Sequence, residues 1–219
     1  MKRLAAAALV SLLCATKLAA QDVEGICAGL EGLALGEWAE YRVDAPFGVT
    51  MEVRYAIVGE ETVEGEGQYW FELNAALPAG SMILQFLVPD YPFQAESVRR
   101  VVMKMGPGQA MEFPEEMAGS MLQQGQSLSE PTIRACNESE TIGWETVTVP
   151  AGTFRALRVR ARLDAGDKDL WLSDDVPFGM IKMTEPDDPD HGLMLLDHGT
   201  DAESSITETP QKMAAPDRG

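Results

Sequence analysis

Met103, Met105, Met111, Met117 and Met121 fall within one stretch of 19 residues. Thioethers are soft donors that bind Cu(I), and Met117 and Met121, four apart, would share one face of a helix. The same side chains are flexible and polarisable, which suits them to core packing or to contact with a loosely shaped apolar ligand. No His or Cys lies near them to complete a soft metal site. Packing or ligand contact is therefore the expected use, with methionine-based copper binding as a third alternative.

Other chemistry is sparse. Asp187, Asp188, Asp190 and His191 place oxygen and imidazole ligands within five residues. The glycine and spacing of a calcium loop are missing, and Pro186 and Pro189 point to an exposed acidic turn rather than a metal site. Arg158, Arg160 and Arg162 alternate along one strand face and could hold an anion, but in a chain this acidic they are expected to pair with carboxylates across the sheet. The chain has two histidines, His191 and His198. There is no Gly-x-Ser-x-Gly elbow, no His-Glu-x-x-His and no phosphate-cradling glycine loop. The expectation is a protein without catalytic residues, bound metal or cofactor.

The address is more legible. Lys2-Arg3, the apolar run Leu4 to Leu13 and the small residues Ala19-Ala20 form a signal peptide over 1–20, too short to span a bilayer at roughly 20 apolar residues. Cys14 follows bulky Leu13, where a lipidated cysteine wants a small residue, so it is read as part of the signal, with lipidation at Cys14 as the alternative. The chain is then periplasmic or secreted. An exported chain meets an oxidising compartment, which predicts a disulfide between Cys27 and Cys136, the alternative being two free thiols. With 35 acids against 17 bases the formal net charge is −18. Such a surface argues against nucleic acid and anionic headgroups as partners. No later segment reads as a membrane span.

These residues sit in a pattern of half-buried strands. Trp38 to Val43, Val49 to Ile57 and Gln68 to Asn74 alternate with period two, the last two as a hairpin across a polar loop from Gly59 to Gly67. Ser81 to Val88 is apolar on both faces, Met82, Leu84, Phe86 and Val88 against Ile83 and Leu87, and needs cover on both sides from a helix or an apolar ligand. Val98 to Met105 is a further strand. Pro114 to Gln124 is the best helix, with Glu115-Glu116 in its first turn; a weaker one lies between Asp22 and Leu35. Trp70 stands on a polar strand face, either covered by the chain's own loops or open to a partner. Trp144 to Met183 reads as a strand pair turning at Pro150 to Thr153, a strand carrying Trp171 and a Val-Pro-x-Gly corner. The expected division is an N-terminal segment over 21–35, one domain over 36–199 and a disordered acidic tail over 200–219.

Four elements carry a resemblance. They are Gly36-Glu37-Trp38-Ala39-Glu40-Tyr41-Arg42-Val43; Arg54 to Glu61 with Gly67 to Glu72; Val147-Thr148-Val149-Pro150-Ala151-Gly152-Thr153-Phe154; and Leu170-Trp171-Leu172-Ser173 through Val176-Pro177-Phe178-Gly179 to Lys182. In this order the chain resembles exported bacterial proteins of the lipoprotein-carrier (LolA/LolB-like) superfamily. The resemblance implies a mainly β fold, a curved antiparallel sheet forming an unclosed half-barrel with one or two helices across its concave face. It also implies a hydrophobic groove for an acyl chain, an apolar small molecule or a lipidated partner. Met82, Leu84, Phe86, Val101, Met103, Met105, Met117 and Met121 would line that groove, with the 114–124 helix as a lid. The alternative is an envelope interaction protein with a filled interior.

Overall fold

Period-two alternation organises the observed architecture. In a computed structural model, residues 23–30, 32–45, 49–77, 80–114 and 129–213 are described. The strands are β1 (Trp38–Ala45), β2 (Val49–Val63), β3 (Glu66–Leu77), β4 (Gly80–Val88), β5 (Arg100–Met105), β6 (Met111–Phe113), β7 (Glu140–Val149), β8 (Gly152–Leu163), β9 (Gly166–Leu172), β10 (Met180–Glu185), β11 (Asp188–Gly199) and β12 (Gln211–Lys212). They form one sheet in the order β12-β6-β5-β4-β3-β2-β1-β11-β10-β9-β8-β7. Neighbours are antiparallel apart from β12 beside β6. The sheet curves strongly and does not close into a barrel. This is the expected fold class. Helix α1 (23–30) and helix α2 (Glu130–Glu138) add Val23, Ile26 and Ala135 to the core that fills its inner face.

The centre of that core is aromatic. Phe71 is fully buried, with ring centroids 5.5 Å from Tyr55, 6.0 Å from Tyr91, 5.3 Å from Phe93 and 5.7 Å from Phe178. Tyr91 and Phe93 come from the segment after β4, and Phe178 from the corner between β9 and β10. At that corner Phe178 (φ 63°) and Gly179 (φ 69°) are both left-handed. A Cβ on Gly179 would lie 2.4 Å from Leu30 Cδ2. Glycine is thus required twice over there, for the backbone and for the seat of α1.

Several elements differ from expectation. The segment from Gly59 to Gly67 is mostly strand: β2 and β3 continue to a two-residue turn at Glu64 (φ 55°) and Gly65 (φ 91°). Two successive left-handed residues give the turn whose twist matches the strands it joins. Helix α1 falls inside the stretch from Asp22 to Leu35 where a helical piece is expected. Helix α2 escaped detection, though Pro131 in its first turn is a standard helix start. β11 begins at Asp188, inside what looked like an acidic turn. The expected helix at 114–124 lies, apart from Pro114, outside the described residues.

Over residues 200–213 the C-terminal stretch is not the disordered tail expected over 200–219, and the rest of that range lies outside the described residues. Residues 200–213 cross the face of the sheet opposite the aromatic core. Trp38 Nε1 donates to Asp201 Oδ1 at 2.8 Å, and Ala202 N to Gly36 O at 2.8 Å. Ile206 packs on Ile83, Val102, Ala110 and Trp70. Buried Glu72 accepts from Ser205 N (3.0 Å), Ser205 Oγ (2.6 Å) and Gln85 Nε2 (2.8 Å). β12 then extends the β6 edge. Polar composition concealed a strap whose hydrogen bonds are made to polar residues already buried in the sheet. Deleting residues 201–219 leaves the Glu72 carboxylate without its serine donors and uncovers Ile83 and Val102. We expect a loss of about 3 kcal/mol in unfolding free energy. A denaturation midpoint unchanged by the deletion would return the segment to the status of a tail.

Candidate functional site

The groove residues named from sequence on β4 and β5 are cross-strand partners: Met82 opposite Met105, Leu84 opposite Met103, Phe86 opposite Val101. The row continues through Met103 opposite Met111 and Leu84 opposite Leu73. Alternation places Met82, Leu84, Met103 and Met111 on the inner face. Each packs against the core yet is only half-buried. Met105, at the strand end, is 50% exposed. These side chains form an apolar, methionine-rich floor along one flank of the aromatic centre.

Two of the named residues do not belong to that surface. Phe86 and Val101 are each 2% exposed, and Phe93 lies 6.1 Å from Phe86, ring to ring. The loop after β4 folds its aromatics over this end of the strand pair, so Phe86 and Val101 are core. Sequence reasoning passed over Tyr91 and Phe93 because Tyr91-Pro92-Phe93 has neither helical nor strand periodicity. Met117 and Met121 lie outside the described residues. Burial pushes the Tyr41 and Tyr91 hydroxyls up, and that of Tyr55 to about 12. The interior phenols therefore stay neutral across the physiological range.

The disulfide is present between Cys27 of α1 and Cys136 of α2. Beside it opens a cavity of about 1030 Å³, lined among others by Val23, Asp90, Tyr91, Ile133 and Glu140. It lies at the helix end of the fold, and the methionine floor is not part of its lining.

The remaining chemistry resolves into ion pairing across the sheet. Arg158 and Arg160 meet Asp169 at 2.6 and 2.8 Å, and Arg162 meets Asp167 at 3.0 Å, as expected of the arginine stripe. Asp169 is 1% exposed. Burial works to raise its carboxyl pKa, but hydrogen bonds and charge from Arg160 and Arg158 prevail and hold it below the usual carboxylate range. His191 Nδ1 lies 2.9 Å from Asp188 Oδ1. Among the described residues no group of His, Cys, Asp or Glu could hold a metal ion. Trp70 is covered from within the chain, by Ile206 and its cluster and by Arg100, whose guanidinium stands 5.0 Å from the ring centroid. No described helix is long and apolar enough to cross a membrane.

No family model matches the chain, and no curated protein matches it. Among solved structures it is similar to a candidate lipoprotein of Parabacteroides distasonis, at 14% identity and a TM-score of 0.35, covering 76% of this chain and 96% of the other. It is also similar to a candidate exported protein of Bacteroides fragilis with a YmcC-like fold, at 11% identity and a TM-score of 0.34, with the same coverage of both chains. Similarities of this size leave the family open, the lipoprotein carriers included.

Proposed function

We propose that this chain is an exported, non-enzymatic protein that binds an apolar ligand, a lipid or acyl chain, or a lipidated partner against the methionine floor of its half-barrel. The observation that carries this reading is the half-buried row Met82, Leu84, Met103 and Met111 beside a sealed aromatic core. A purely structural sheet gains by sealing such residues, at about 25 cal/mol per Å² of apolar area. Unbranched thioether side chains fit varied acyl shapes without a fixed pocket. The signal peptide and the disulfide support an oxidising, extracytoplasmic setting.

The test is direct. Organic extraction of the purified protein should release lipid, and an apolar fluorescent probe should bind. Met82→Glu and Met103→Glu should each weaken the probe about tenfold or more, because each sets a charge on the floor. An extract without lipid, together with no probe binding, sinks the proposal. A second reading is favoured by the packing of Phe71, Tyr91, Phe93 and Phe178, which fills the centre of the inner face. On that reading the protein is an envelope interaction module with no ligand, and in-cell crosslinking captures one protein partner while the probe fails to bind.

A further inference from the structure

With acids outnumbering bases two to one, each base has a choice of carboxylates, and Arg100, Lys104, Arg158, Arg160 and Lys168 all have one. Among the described residues three half-buried bases have no ion pair: Arg54, which lies over the Trp38 ring, and Arg42 and Lys182. The last two belong to one cross-strand row: Glu52, Arg42, Met194, Lys182, Trp171 and Arg158 stand in register on β2, β1, β11, β10, β9 and β8. Arg42 Nη2 donates to Met194 Sδ at 3.7 Å, which turns the guanidinium over β11, away from Glu52. Lys182 Nζ lies 5.2 Å from the Trp171 ring centroid.

Three carboxylates on this face are already engaged, while Glu52, in register with Arg42, stays exposed and unbonded among the described residues. Asp169 is held by Arg158 and Arg160. Glu145 accepts from the Trp171 indole, and Asp44 from Thr50 Oγ1 and Gly192 N. Five buried side-chain polar atoms lack a partner among the described residues, and three of them, Arg42 Nε, Arg158 Nε and Thr184 Oγ1, are on this same face. Thr184 is 2% exposed and lies in register with Asp169, two residues along β10 from Lys182. Buried polar groups without partners are rare, and a cluster of donors marks a place where an acceptor is missing.

We propose that Arg42, Lys182 and Thr184 form an oxyanion site that takes one phosphate group. Arg42 and Lys182 are two strands apart, so their Cα atoms stand about 10 Å from each other and their side chains must meet over Met194. A tetrahedral phosphate offers enough oxygens to accept from both cations and from Thr184 Oγ1 at once. The chemistry is the same for free phosphate and for a phosphorylated lipid headgroup.

Calorimetric titration of the purified protein with inorganic phosphate at low salt should give saturable binding. Arg42→Gln and Lys182→Gln should each weaken it about tenfold, the scale of one charge-assisted hydrogen bond. Arg155→Gln, which changes a cation stacked 4.5 Å from the Trp144 ring, should leave it unchanged. Unfolding midpoints equal to that of the parent show that the variants are folded. Flotation with phosphatidylglycerol vesicles, lost in R42Q and K182Q, identifies a lipid headgroup as the source. Phosphate binding without flotation identifies the free ion. Absence of saturable binding in both arms, or an equal loss in R155Q, overturns the site.

Discussion

Replacing Cys27 and Cys136 by serine lowers the free energy of unfolding by about 4 to 5 kcal/mol in the chain-entropy account. The bonded cysteines are 109 residues apart. Without the bond the unfolded chain regains the freedom of a loop that size. The loss is a large part of the stability of an ordinary domain, roughly 5 to 15 kcal/mol. The folded state is also affected locally. Helix α1 spans only residues 23–30, well under the length at which an isolated helix persists in water. Its hold on the sheet rests on Val23, Ile26 and Leu30, and on the bond to α2. Denaturant titration of the oxidised parent, the reduced parent and the double serine variant measures the effect. The last two should coincide, and amide exchange should accelerate first in residues 23–30. A difference below about 1 kcal/mol between oxidised and reduced protein would show that packing alone seats α1.

What could be read from the residues, and what could not, divides along physical lines. Strands with one wet face announce themselves, so β1, β2, β3 and the β7–β8 pair were legible from alternation. The two-faced apolar run in β4 correctly demanded cover on both sides, but sequence could not say what covers it. One cover is the Tyr91–Phe93 loop and the other is the strap bearing Ile206, and both come from segments whose composition reads as loop or tail. The bonds that hold the strap, from Ser205 Oγ to Glu72 and from Gln85 Nε2 to Ser204 Oγ, join residues more than 110 positions apart, and no local pattern encodes them. The same limit applied to the groove. Alternation put Met82, Leu84 and Phe86 on one face with Val101 and Met103, and the pairing agrees. Alternation is blind to depth along the strand, so Phe86 and Val101 looked equivalent to Met82 and Met103. The arginine stripe was decided by composition, since in a chain rich in acids Asp167 and Asp169 on the next strand were waiting partners.

Depth along the sheet is also what separates the two functional readings, and Phe71→Ala tests it. Phe71 is 0% exposed and touches aromatic rings from four other strands or loops, so truncation removes a large apolar volume from a site that cannot collapse. The expected loss is about 3 to 5 kcal/mol, and Phe71→Leu, which refills most of the space, should lose less than half of that. Ligand binding responds differently according to where the ligand sits. If the ligand rests on the floor formed by Met82, Leu84, Met103 and Met111, the folded fraction of F71A binds an apolar probe as the parent does. If instead the parent interior is full and nothing binds there, the new void is a dry apolar cavity, and the variant gains affinity for small aromatic molecules that the parent refuses. Probe titration at a temperature where F71A remains folded reads the difference. Unchanged affinity, together with the losses expected for M82E and M103E, locates binding on the methionine floor. A gain confined to F71A shows that the native inner face was closed, and it would move the search for function to the surfaces of the sheet.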